Sequence, residues 1–316
     1  MKVFIERPLN PGSLRGPSKF VEKLIKEMKK QGVECVYRLD AKCTVSFALP
    51  HWKIHTRHVP RLMRIDGAKP RRSAGRLRKH GRRIMRSNAM VWQSNFTKKF
   101  ASKMYSINDS GYVIYNGDDP KAYRVEKIPS DGKFHVFTCA NWIGHDGRYR
   151  PEKRMHEMIR IADEYTKKNP DVVFWFIGDT KQPVHENKNI VFVGRISHAN
   201  LARYIVSANC MLFIGWGEWC PNSVVESLVA GTPVICSRGG GAEELVKVGY
   251  GESLPSEDPF SVEALKSGTV PPINNEEVFS ALDRWCRCEE KRPATSLYME
   301  HCAKKYIEIL RSIEKK

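Results

Sequence analysis

Short apolar, β-branched runs alternate along this chain with stretches whose apolar positions recur every three or four residues. Residues 2–6 (KVFIE) read as a strand. The next stretch, GPSKFVEKLIKEMKKQG, sets Phe20, Val21, Leu24, Ile25 and Met28 on one helical face and closes at Gly32. Further strands are expected at 34–39, 44–49, 61–65, 89–93 and 112–115. Residues 116–133 are polar and hold two prolines, which suits a domain boundary. The pattern then restarts. Strands are expected at 134–139, 172–177, 190–193, 210–214 and 233–236, with helices near 152–168, 199–207, 222–230 and 241–247. The tail, 275–315, reads as helix, with Cys302, Tyr306, Ile307, Ile309, Leu310 and Ile313 suited to packing along a domain.

Two series of strand and helix imply two parallel sheets, each covered on both faces. The expected fold class is therefore α/β, with two doubly wound, Rossmann-like domains: residues 1–122, and residues 123–316 with the helical tail. Ligands of such sheets lie beyond the C-terminal strand ends, so a cleft between facing domains is the expected site.

Composition narrows the setting. Hydrophobic content of 41% with 28% charged residues argues against disorder. No apolar run approaches the roughly 20 residues that cross a bilayer, and the first residues read as a strand, not a leader, so a cytoplasmic protein is expected. Nine cysteines are an odd number without framework or CxxC spacing, which suits reduced thiols. Cys286, Cys288, His301 and Cys302 do not match the spacing of common zinc sites.

Charge is unevenly spread. The chain carries +18, and between His51 and Met104 sixteen Lys or Arg face a single acid, Asp66. A run almost without acids repels itself and gains most from an anionic partner. The candidate contacts are His51, Lys69, Arg71, Arg72, Arg76, Arg78, Lys79, Arg82 and Arg83, with Trp92 and Phe96 nearby.

The sharpest local feature is GWGEWCPNSVVESLVAGTPVICSRGGGAEELV, residues 215–246. Glu218 follows an expected strand, Pro221-Asn222-Ser223 reads as a helix start, and Glu226 lies about one turn further on. First-turn N–H groups form a ready anion site, while carboxylates accept hydrogen bonds from hydroxyls. Together they suit a sugar joined to a phosphate. A structural explanation competes, because acids favour first turns for dipole reasons alone. Gly231-Thr232-Pro233 then leads into a buried strand, and SRGGGAEEL offers a second glycine-rich loop before another helix.

The segment EWCPNSVVESLVAGTPVICSRGGGAEEL resembles the E-x7-E region of GT-B glycosyltransferases of the retaining family-4 group. Other stretches resemble that group in the same order: RGPSKFVEKLIKEMKKQGVEC, RIDG, VWQSNFTKKF, YVIYNGDD, ANW with RPEKRM, VVFWFIGD and NIVFVGRIS. The resemblance runs from the N-terminus to about residue 248. It implies an acceptor-binding first domain and a donor-binding second one. Glu226 would hold the nucleotide ribose and Glu218 the transferred sugar, with the N–H groups of Asn222 and Ser223 on the diphosphate. Arg150 and Lys153 would neutralise that diphosphate, with Arg148 competing for the arginine role because IGHDGRY stands inserted before it. Arg195 would border the base, and the loop at Gly16 would approach the phosphates. Asp66 would stand beside the sugar or the acceptor hydroxyl, with His51 as its rival.

The implied reaction is sugar transfer from a nucleoside diphosphate with retained configuration, resting on positioning and charge stabilisation, without cofactor or essential metal. For the acceptor the basic segment favours an anion. DNA carrying hydroxylated pyrimidines is preferred, the target base leaving the stack. The same enzyme acting on a polysaccharide or lipid-linked glycan is the alternative. A non-enzymatic nucleic-acid-binding protein on the same scaffold is a third reading.

Overall fold

The computed structural model describes residues 1–6, 16–52, 58–68, 73–144, 147–181, 185–257 and 259–314. The first series comprises β1 (Lys2–Ile5), α1 (Gly16–Lys30), β2 (Glu34–Val36), β3 (Val45–Ala48), β4 (Arg61–Ile65), α2 (Ala74–Met85), β5 (Ala89–Trp92), α3 (Asn95–Tyr105) and β6 (Tyr112–Val113). The second begins with β7 (Phe134–Cys139), α4 (Met155–Lys168), β8 (Val172–Ile177), β9 (Ile190–Gly194), α5 (His198–Ser207) and β10 (Cys210–Phe213). It continues with α6 (Asn222–Ala230), β11 (Val234–Cys236), α7 (Gly241–Lys247), β12 (Gly251–Ser253), α8 (Val262–Ser267) and α9 (Asn275–Trp285), and α10 (Met299–Glu314) ends the chain.

Each series forms one six-stranded sheet, and the strand pairs within each run parallel. The first sheet is ordered β2-β1-β3-β4-β5-β6, so its winding reverses between β1 and β3. The second is ordered β12-β11-β10-β7-β8-β9, with the reversal between β7 and β10. Helix cover on both faces explains why β3, β4, β8 and β10 are buried at every position. Two compact units result: Met1–Asp118 with Ser296–Lys316, and Asp119–Thr295.

The tail departs from expectation in two ways. It is not one helix, because the segment between α9 and α10 contains Pro293, which has no N–H to continue the ladder. Nor does α10 belong to the second unit. It lies against α1, β3 and β4, with Tyr306, Ile307, Ile309, Leu310 and Ile313 buried. The Tyr306 ring sits 6.4 Å from Phe20 and 6.2 Å from Phe47. An apolar stripe specifies burial but not which of two similar sheets provides it.

Strand β4 also corrects the count of surface cations. Arg61 Nε pairs with Glu6 Oε1 at 2.8 Å, with the Glu6 side chain fully buried. Arg64 is fully buried, its guanidinium carbon 3.8 Å above the centre of the Phe20 ring. It donates to Tyr306 Oη and to Asn116 Oδ1, and its Nε lies 2.6 Å from Asp66 Oδ1. Two members of the basic run therefore belong to the core and are balanced there by the chain's own acids. Substitution Arg64→Ala removes a cation from beside a buried carboxylate and is expected to destabilise folding by about 3–5 kcal/mol. Denaturant unfolding checks this, and an unchanged midpoint would contradict it.

Helices α2 and α3, helix α8 and strand β12 were not foreseen from the pattern. Among the described residues no helix is long and apolar enough to cross a membrane. All nine cysteines are free thiols.

Candidate functional site

In a doubly wound sheet the loops that leave the strands at the reversal of winding diverge and leave room for a ligand. In the second unit these are the loops after β7 and β10. The first ends in a single 3₁₀ turn, Pro151–Lys153, entered through Arg150. Proline at its first position is preset for the turn and gives up only an N–H that would have no partner. Lys153 is thereby drawn inward, its side chain 11% exposed, and its ammonium forms an ion pair with Glu218 Oε1.

Glu218 comes from the other loop, which main-chain bonds hold from two sides. Trp216 N donates to Glu152 O at 2.7 Å, fastening the loop to the 3₁₀ turn. Gly241 N donates to Glu218 O at 2.8 Å. Only glycine fits at 241, since a Cβ there would stand 1.9 Å from Trp219 O. The glycine-rich SRGGG stretch thus has a local duty: its backbone closes on the loop that carries Glu218.

Helix α6 starts directly after that loop. Pro221 occupies its N-cap, where proline offers no side-chain acceptor to the first turn. Asn222 and Ser223, both partly buried, are its first two residues. Glu226 is buried, and its Oε1 lies 3.2 Å from His198 Nε2. His198 opens α5, whose N-cap Ser197 accepts from Asn200 N at 3.2 Å. Sequence reasoning missed His198. The available signal was its place just beyond FVGRIS, behind a serine cap that orients the first turn of α5.

The other expected residues are placed as follows. Arg150 Nε pairs with Glu152 Oε1 at 2.8 Å, so the expected diphosphate arginine is engaged by its near neighbour. Arg195 follows β9, exposed, with Nη2 3.6 Å from Asp179 Oδ2. In the first unit Asp66 is the counter-ion of Arg64, and burial raises its carboxyl above the usual range although Arg64 opposes the shift. His51 is exposed on the turn after β3, its ring 6.3 Å from Trp52. Gly16 is the first residue of α1. Arg76, Arg78, Lys79 and Arg82 are exposed on α2. Arg83 is half-buried and donates to Trp52 O at 3.4 Å. Lys69, Arg71 and Arg72 lie outside the described residues.

The second unit therefore presents a buried ammonium paired with a carboxylate, a helix start whose N-cap is a proline, and a second carboxylate oriented by an imidazole. A bound phosphate would compete with Glu218 for Lys153, and hydroxyls could donate to the oxygens of either carboxylate.

Comparison with known proteins bears on the fold and on the segment that holds these loops. Residues 140–267 match the model of the family described as Glycosyl transferases group 1. Among solved structures, Anabaena HepE in complex with UDP and glucose superposes with a TM-score of 0.59 at 14% identity, covering 98% of this chain and 99% of that one. Sucrose-phosphate synthase from Thermosynechococcus elongatus gives a TM-score of 0.61 at 13% identity, covering 98% of each chain. The fold is GT-B. A curated relative, the 2-deoxystreptamine N-acetyl-D-glucosaminyltransferase of Niallia circulans, is 24% identical over 214 residues, 64% of this chain and 51% of that protein. A putative teichuronic acid biosynthesis glycosyltransferase of Bacillus subtilis, TuaC, is 22% identical over 200 residues, 59% and 49% of the two chains. The chain thus spans about half the length of the curated relatives it matches.

Proposed function

We propose that this protein is a glycosyltransferase that moves a sugar from a nucleoside diphosphate donor with retention of configuration. The observation that carries the reading is the Lys153–Glu218 ion pair, formed by the loops of β7 and β10 where the winding of the second sheet reverses. In this reading the donor phosphates take the Lys153 ammonium, which stabilises the negative charge that grows on the leaving diphosphate. Glu218 is then released to a hydroxyl of the transferred sugar. The N–H groups at Asn222 and Ser223 add to the phosphate field, Glu226 holds the ribose with His198 fixing one of its oxygens, and Arg195 borders the base. Charge neutralisation comes from protein cations, so no essential metal is invoked.

The acceptor proposed is an anionic glycan. Support comes from one relative, whose name concerns the biosynthesis of teichuronic acid, an acidic polymer, and from a segment, 73–108, with nine Lys or Arg and no acid; the acceptor named for the other relative, 2-deoxystreptamine, is a diamine and adds nothing to the charge argument. The expectation of modified DNA has no support among the relatives, and its charge argument weakens with Arg61 and Arg64 inside the core.

The test is a panel of nucleotide sugars against polysaccharide, lipid-linked glycan and hydroxymethylated duplex DNA, with products read by mass. Transfer to a glycan, weakening as salt rises, is the expected result. Product on DNA would restore the other acceptor, and no turnover or donor hydrolysis with any nucleotide sugar would sink the enzymatic reading.

A further inference from the structure

Arg154 follows Lys153 directly and is fully buried. Its backbone is left-handed, with φ of 51° and ψ of 38°. Residues with a side chain avoid that conformation and glycine takes it freely, so an arginine there must be held by the structure around it. The guanidinium spans two segments. Its Nη1 donates to Ile214 O at 3.0 Å, and its Nη2 donates to Pro271 O at 2.7 Å.

Ile214 is where β10 gives way to the loop that carries Glu218. Three consecutive residues therefore bind that loop: Glu152 through the Trp216 N–H, Lys153 through the Glu218 carboxylate, and Arg154 through the Ile214 carbonyl. The first and third links join main chain on the loop side, so they set where the loop sits before any side chain moves. The unusual backbone at 154 follows from the same demand. It turns the chain sharply between Lys153 and the first turn of α4, letting one side chain face Glu218 while the next reaches beneath the loop.

We infer that Arg154 is a positioning residue, which sets the approach of Glu218 to Lys153 through the main chain of Ile214. Turnover depends on it although it touches no substrate. The inference rests on the donor reading given above. A guanidinium suits the task because its planar fork serves two carbonyls at once, where an ammonium acts as a point donor.

The experiment compares Arg154→Gly and Arg154→Lys with the wild type in steady-state kinetics, circular dichroism and amide hydrogen exchange. Glycine fits the left-handed backbone and removes the tether, whereas lysine keeps a cation but not the fork. The expected result is a kcat about 100-fold lower for Arg154→Gly and about 10-fold lower for Arg154→Lys, with donor KM held within about 3-fold. Exchange in peptides covering 214–220 is expected to quicken in both folded variants. A folded variant with wild-type kcat would overturn the inference. So would a loss carried by KM alone, a loss that only mirrors the unfolded fraction, or failure of both variants to fold. Wild-type protein that turns over no donor defeats the donor reading instead, and the exchange measurement then decides the tether by itself: unchanged exchange at 214–220 overturns it.

Discussion

Replacing Lys153 with Ala is expected to lower kcat about 10²- to 10³-fold, with a smaller change in donor KM. Glycosidic bond cleavage leaves negative charge on the diphosphate, and a cation held nearby in a partly buried site acts on that charge more strongly in the transition state than in the ground state. Lys153 is 11% exposed at its side chain, so solvent screens it little. The substitution has a second effect. It leaves the Glu218 carboxylate without its cation, and an uncompensated negative charge repels the phosphates that must bind beside it. Steady-state kinetics at saturating donor check the prediction. A folded Lys153→Ala protein with kcat within about 3-fold of wild type would remove the central element of the mechanism.

Substitution of Glu226 by Ala is expected to reduce kcat/KM about 100-fold, chiefly through donor KM. A hydrogen bond from a hydroxyl to a charged acceptor contributes about 1.5–3 kcal/mol, and a ribose offers two hydroxyls. In the proposed donor complex such bonds would form before the reaction begins and persist through it, so their loss is expected to appear in binding. The carboxylate is buried and its Oε1 already meets His198, which limits its rotamers and lowers the entropy lost on binding. Glu226→Gln keeps the shape and one acceptor oxygen and is expected to fall between wild type and Ala. Calorimetric titration with the free nucleoside diphosphate separates the cases. Equal affinity in wild type and Glu226→Ala would place Glu226 outside the donor site.

Much of the architecture was legible because it rests on local periodicity. The strand and helix alternation, the helices at 222–230 and 241–247 and the parallel character of both sheets follow from patterns within a few residues. The loop at Glu218 was legible as well, since glycine after a strand and a carboxylate before a helix start leave marks in the sequence, whereas Lys153 was reached only through the family resemblance and lies in a 3₁₀ turn ahead of α4, not within the helix expected from 152. Helix α2 was hidden. Its Arg-rich face dominates the composition, and only Leu77, His80, Gly81 and Ile84 form the buried side. The short strand β12 has too few residues for any period to appear. His198 had no visible claim on Glu226, because the distance that joins them is set by α5 and α6 packing together.

The sequence by itself determined most strands and the longer helices of the second unit, the doubly wound sheets and the segregation of positive charge, because backbone preference and side-chain burial act over a few residues. Only the tertiary structure decided that α10 joins the first unit, that Arg61 and Arg64 are interior cations balanced by Glu6 and Asp66, and that Lys153 meets Glu218. These outcomes depend on strand order and on which surfaces close over one another. No local pattern encodes them, since residues distant in sequence become neighbours only when the whole sheet is wound.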